Sequence, residues 1–243
     1  MLDFEAGQVY GMRGSQINIP TEIGVVLFDP EYDMVSYKQK RFVHDIDLVV
    51  RKNVIDENGV KTGTSVSLIN QGRDCRDLEY DRRFRAKRED IKRGLQVSRE
   101  VHTTIRNYMR GLESEFDISS FWFFSDPMEK EIFRRAGYDI SGYELYDMQR
   151  IVKKECPGIS SLPSLDKLSI AHNFRVEADE IISSNFSYKI PEKKSHLFRS
   201  HRALGDAARI FLLCREYSHD KGEFAERTIG HMKKCGDIRC IYK

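Results

Sequence analysis

Apolar and polar residues alternate at the start of the chain. Leu2-Asp3-Phe4-Glu5-Ala6 has the period of two that a β-strand imposes, so Asp3 and Glu5 share one face. Gly7 to Pro20 is rich in glycine and polar residues and reads as a turn or loop, longer than a tight hairpin needs. Thr21 to Phe28 is a second strand, and its near-continuous apolar run Val25-Val26-Leu27-Phe28 is that of a buried one. Asp29 to Asp33 is a turn. Met34 to Val50 carries a further strand or two through the alternation of Val43, Asp45, Asp47 and Val49, where His44 reads as a surface strand residue. Asn53 to Thr64, marked by Asn58-Gly59 and Gly63, reads as a loop or hairpin turn.

Helical spacing takes over later. Val101, Ile105, Tyr108, Met109 and Leu112 predict a helix over Ser98 to Leu112. Ser119 to Phe124 is a buried strand of aromatics. Ser125-Asp126-Pro127-Met128-Glu129 is a helix start, with Ser or Asp as cap, Pro in the first turn and a stop at Gly137. Tyr143 to Val152 forms a short strand or helix, Leu165 to Ala171 a short helix, and Ser183 to Ser195 a polar loop. After an N-capping Ser200, the residues Ala203, Ala207, Ile210, Phe211 and Cys214 recur with a buried helix face. Small residues at Ala203, Gly205, Ala207 and Ala208 let that helix lie close to a sheet. Strands early, a helix over them, another strand and then helices predict an α/β layer fold.

Composition narrows the class. With 40% hydrophobic residues and 14 Phe, 243 residues suffice for one large domain or one and a half. Forty Lys/Arg against 38 Asp/Glu leave a near-neutral total, so net charge announces no polyanion partner. No apolar run approaches the ~20 residues of a membrane span, and no signal peptide is visible. Five cysteines at irregular spacing argue against a secreted disulfide framework and for a reducing compartment, cytoplasmic or nuclear. Only two residues precede Asp3, which suggests a piece of a longer polypeptide, since a frayed strand is a poor place for a metal ligand.

Charge is concentrated in one place. Between Gly72 and Gly94, nine Lys and Arg crowd with Tyr80 and Phe84, interleaved with acids. A solvated, salt-bridged helix is one reading. The other is an insertion, about 53–97, whose Arg82, Arg83 and Arg85 touch phosphates while its aromatics stack on bases.

The chemistry sits at the two ends of the chain. Two carboxylates on one strand, Asp3 and Glu5, together with His201 and Asp206 at a helix start, make a cluster able to bind metal ions. Here the sequence resembles a family. His201-Arg202-Ala203-Leu204-Gly205-Asp206-Ala207 is similar to the HxAxxDA signature of the DEDDh (DnaQ-like) 3′–5′ exonucleases, and Asp3-Phe4-Glu5 to their DxE motif. Glu22-Ile23-Gly24-Val25-Val26 resembles their second strand, and Ser164-Leu165-Asp166-Lys167-Leu168 the segment before the final motif. The resemblance is scattered over most of the chain in family order.

It implies a ribonuclease H-like mixed sheet flanked by helices over residues 1–217, followed by a short C-terminal extension over 218–243. It also implies Asp3, Glu5 and Asp206 as ligands of two Mg²⁺ or Mn²⁺ ions, with His201 as general base; an imidazole of pKa near ~6.5 suits that role. The fourth acid departs from the family pattern. Asp126 has the residue type and sits at the strand end, whereas Glu129 has the register, with Ile132 and Phe133 three and four positions on; Asp147 is a third candidate. In the extension, His231, Cys235 and Cys240, with Cys214 or His219, offer soft ligands for a structural Zn²⁺.

The implied function is a metal-dependent 3′–5′ exonuclease acting on single-stranded nucleic acid, RNA favoured over DNA. The alternative is a catalytically inactive ribonuclease H-like module that binds RNA or protein.

Overall fold

The computed structural model describes residues 1–9, 18–70, 73–77 and 88–238. Its elements in chain order are β1 (Leu2–Val9), β2 (Asn18–Asp29), β3 (Met34–Arg41), β4 (Asp47–Ile55), β5 (Lys61–Asn70), β6 (Arg73–Asp77), α1 (Arg88–Glu115), β7 (Ser120–Phe123), α2 (Pro127–Ala136), β8 (Glu144–Asp147), α3 (Met148–Glu155), α4 (Leu165–Ala171), β9 (Arg175–Glu177), β10 (Glu180–Ile182), β11 (Ser187–Lys189), a 3₁₀ turn (Ser195–Phe198), α5 (Ala203–His219) and α6 (Lys221–Lys234). The chain is a mixed α/β protein. None of the described helices is long and apolar enough to cross a membrane.

The main sheet has the order β3-β2-β1-β4-β5-β6, with every neighbouring pair antiparallel. β7 and β8 form a separate parallel pair, and β9, β10 and β11 a small antiparallel sheet. Leu2 and Phe4 turn to one face of β1 and pack with Ile105 and Met109 of α1 and Phe133 of α2. On another side of the sheet, Val26 of β2 packs with Leu204, Ala207, Ala208 and Phe211 of α5, and Ile181 of β10 joins them. A third cluster joins α3, α4, α5 and α6 through Val152, Leu168, Ile210, Phe224 and Met232.

Two glycines set how closely α5 approaches. A Cβ on Gly24 would overlap the backbone of Ala203 and Leu204, and one on Gly205 would overlap the carbonyl of Arg199. Only hydrogen fits at either place, so the start of α5 lies directly on β2.

Several expectations are corrected. β1 runs on to Val9, past the expected loop start, and the long strands β4 and β5 leave only a short turn around Asn58-Gly59. The expected insertion 53–97 takes in the start of α1, whose Val97 is buried in the core, so that boundary falls inside a structural helix. The polar loop expected over 183–195 holds β11, because Tyr188 pairs across to Ile181. The N-cap of α5 is Arg202 rather than Ser200. His44 is buried and bonded to the Ile46 carbonyl at 3.1 Å, not a surface strand residue. Within the expected extension 218–243, α6 buries Phe224, Thr228, His231 and Met232. Arg82, Arg83, Arg85 and Cys240 lie outside the described residues.

Candidate active site

The site begins with strand register. Asp3 pairs with Gly24 and Glu5 with Glu22 across β1 and β2, and directly paired residues point to the same face. Gly24 is where the first turn of α5 rests, so the face that carries Asp3 and Glu5 is the face α5 covers. Asp206 lies in that first turn. Glu5, His201 and Asp206 each bring a ligand-capable atom to a common region, all within 4.8 Å of one another, and among the described residues no other set of three His, Cys, Asp or Glu does so.

His201 sits just before the helix with φ 60°, a left-handed conformation rare for a residue with a Cβ. Its backbone N–H donates to Asp206 Oδ1 at 3.2 Å, and its carbonyl accepts from Lys52 Nζ at 3.3 Å. Asp206 Oδ1 also accepts from Arg209 Nη2, one turn further along α5. Arg209 is 2% exposed and its Nη1 lies 2.7 Å from Asp166 Oδ1 of α4. The Asp206 carboxylate is therefore held through Oδ1.

Electrostatics mark these acids as crowded. Burial pushes the Asp3 carboxyl well above the usual range, and the charges of Asp206, Glu129 and Glu5 push it further, against the pull of Arg209. Burial, then Asp206, raises Glu5 to about 7, with Lys52 and Arg202 opposing. Burial raises Glu129 to about 8, with Asp126 and Asp147 adding to it. Like charges held in a poorly solvated place disfavour ionisation.

The three candidates for the fourth acid separate clearly. Asp126 makes no side-chain cap for α2; it pairs with Lys130 one turn on and lies 3.7 Å from Arg150. Asp147 caps α3, accepting from the N–H groups of Gln149 and Arg150 and also from Ser125 N–H at 3.0 Å. Glu129 is 2% exposed, and its Oε2 is buried with no partner. Glu129 is the one of the three whose charge is among the main causes that raise the Asp3 carboxyl.

Among the described residues the soft-ligand candidates form no set of three, and Cys240 lies outside those residues. His231 and Cys235 stand one turn apart, Nε2 to Sγ 3.5 Å, but that ring nitrogen is 2.9 Å from the Asn58 carbonyl. Cys214 is buried in the core and joins no such set.

Sequence reasoning passed over three residues. Arg209 carried a signal, an arginine at i+3 from Asp206 inside an otherwise apolar helix. Glu22, buried and bonded to Gln39 at 2.6 Å and Arg202 at 2.9 Å, was read only as part of a strand. Lys52 carried none, because it arrives through long-range pairing. Comparison with known proteins gives no match: no family model, no curated protein and no solved structure aligns with this chain.

Hard oxygen donors that repel one another, one of them an orphaned buried carboxylate oxygen, fit divalent cations such as Mg²⁺ or Mn²⁺.

Proposed function

We propose that this protein is a metal-dependent 3′–5′ exonuclease of ribonuclease H-like fold, hydrolysing phosphodiester bonds at the ends of single-stranded RNA or DNA. The observation that carries the reading is the convergence of Glu5, His201 and Asp206, beside which the charges of Asp206, Glu129 and Glu5 raise the Asp3 carboxyl. The antiparallel β3-β2-β1 run and the parallel pair β7-β8 are compatible with that fold.

Asp3, Glu5, Asp206 and Glu129 would hold the cations. When bound, divalent ions there would neutralise charge on the scissile phosphate and ease ionisation of the attacking water. The chain's own part is positional. The Asp206 N–H bond to Arg202 O and the His201 N–H bond to Asp206 fix the His201 backbone at the helix start, and its imidazole, within 4.8 Å of the Glu5 and Asp206 carboxylates, would take the proton from the water. Arg209 holds Asp206 by Oδ1 and leaves Oδ2 for the site.

A second reading, binding without cleavage, draws on the same arginine, since Arg209 already supplies Asp206 with a buried counter-charge. End-labelled single-stranded RNA and DNA incubated with Mg²⁺, Mn²⁺ or EDTA separate the two. Stepwise loss of 3′ nucleotides only with metal supports the enzyme, and retention of intact bound oligonucleotide supports the inactive module. The same pair of substrates decides between RNA and DNA.

A further inference from the structure

Glu5 and Asp206, held within 4.8 Å of each other, and Asp3, whose carboxyl their charges raise, repel the polyanion they are proposed to cut. A cation that faces the substrate is therefore needed in addition to any metal, and most of the cations near the site are committed. Arg209 is enclosed between Asp206 and Asp166. Arg202 is paired with Glu22 at 2.9 Å. Lys130 is paired with Asp126, and Arg150 with Asp147 at 3.1 Å.

Lys52 differs. It is half-buried on β4 and has no carboxylate within ion-pair distance among the described residues. Its Nζ makes one hydrogen bond there, to the His201 carbonyl at 3.3 Å, which uses one of three ammonium donors. Its charge is nonetheless felt by Glu5, which puts it beside the acids.

The fold carries Lys52 toward the site on β4, the neighbour of β1 in the main sheet. β1 and β4 pair through Gln8 with Val49 and Val9 with Leu48. The strand register is irregular between Glu5 and Ala6, so what fixes Lys52 at the site is the bond of its Nζ to the His201 carbonyl. A Cβ on Gly7 would lie 2.9 Å from Leu48 Cβ and 3.1 Å from Val50 Cγ2, so the missing side chain lets β4 close on β1 at this point. The β4–β5 hairpin is thus part of the site, and the residue it contributes is a flexible point charge of the kind that follows a phosphate.

We propose that Lys52 is the phosphate-binding cation of this site, taking a non-bridging oxygen of the backbone phosphate at the end of a single-stranded nucleic acid. The assignment rests on the exonuclease reading and names how that site holds its substrate.

The test is binding without turnover. Fluorescein-labelled single-stranded RNA and DNA oligonucleotides are titrated by anisotropy in Ca²⁺ over a range of salt, for the wild type, Lys52→Gln and Lys52→Arg. One lost phosphate contact should weaken Lys52→Gln roughly fivefold and lower the slope of log affinity against log salt by ~0.7, while Lys52→Arg keeps both. Mn²⁺ affinity by calorimetry should be unchanged or tighter in Lys52→Gln, since a positive charge beside Glu5 has gone. Wild-type affinity and slope in Lys52→Gln would overturn the assignment, as would a parallel loss of Mn²⁺ binding, which would make Lys52 a support for Glu5 and His201. Should Lys52→Gln not fold, Lys52→Arg carries the test, since wild-type affinity and slope in it support the assignment and weakened binding overturns it. A wild-type chain that binds Mn²⁺ but neither oligonucleotide overturns the nucleic-acid reading itself.

Discussion

The backbone N–H of His201 donates to Asp206 Oδ1 across 3.2 Å, so the histidine and the aspartate five residues later are fixed as a unit. The bond holds His201 at φ 60°, a conformation that costs on the order of 1–3 kcal/mol for a residue with a Cβ. Strain of this kind persists only where the surroundings impose it. Here they are Asp206 on one side of the residue and Lys52 on the other.

The strain gives a first prediction. His201→Gly should be more stable than His201→Ala in thermal or urea melts, because glycine accepts the left-handed backbone freely. Both should lose nucleotide release. Equal stability of the two variants would mean that the backbone strain is absent in solution.

Variants of Glu5 and Asp206, both proposed cation ligands, should differ in stability. The Glu5 carboxyl is raised to about 7, so its ionisation opposes folding. That part of the stability is fully present below the unfolded value near ~4.5 and is lost as pH rises through about 7. Glu5→Gln should therefore melt higher than the wild type at pH ~8 and lose the advantage at pH ~4. Asp206→Ala instead leaves Arg209 buried with Asp166 alone, and should lose on the order of 3 kcal/mol. An Asp206→Ala variant as stable as the wild type would contradict the buried ion pair.

Glu129 and Asp126 are separated by the same logic. Glu129→Gln should abolish metal-dependent cleavage and remove the fall in stability between pH ~4.5 and about 8 that burial of this acid imposes. Asp126→Asn should leave most activity and lose about 0.5 kcal/mol, the worth of its exposed partners Lys130 and Arg150. The reverse ranking of the two variants in rate would return the fourth acid to Asp126.

How far the sequence reveals this arrangement depends on the range of each signal. Leu165–Ala171 and the helix ended by Gly137 were legible because Ser164 accepts from Lys167 N–H and Gly137 takes φ 64°, both local features. Glu5, His201 and Asp206, which the structure brings within 4.8 Å of one another, were legible as neighbours through residue type, spacing and family resemblance, whereas Asp3, expected with them, is not among the three. The difference between Glu129 and Asp126 was not legible, because both acids are buried and only the packing leaves Glu129 Oε2 without a partner while Asp126 pairs with Lys130. β9, β10 and β11, three residues each, are too short to carry periodicity. Thr228 and His231 hid the buried face of α6, since polar residues there broke the apolar stripe of Phe224 and Met232.

That polar stripe sets an acid limit. His172 is 1% exposed, stacks on Phe224 at 4.3 Å and bonds Thr228 Oγ1 at 3.0 Å, and burial lowers its pKa to about 4. The unfolded chain, near ~6.5, takes up this proton first, so the contribution is present above pH ~6.5 and is lost as pH falls toward about 4. Between pH ~7 and ~4.5 the wild type should lose about 2–3 kcal/mol more than His172→Phe. Parallel pH profiles of the two proteins in urea unfolding would contradict a buried neutral His172.

The most direct measurement of the central claim follows a 5′-labelled single-stranded oligonucleotide over time with the wild type and with Glu5→Gln, in Mn²⁺ and in EDTA. The account predicts a ladder of products shortened from the 3′ end, seen only with the wild type and only with Mn²⁺. An intact substrate in every lane, or the same ladder from Glu5→Gln or in EDTA, would contradict it.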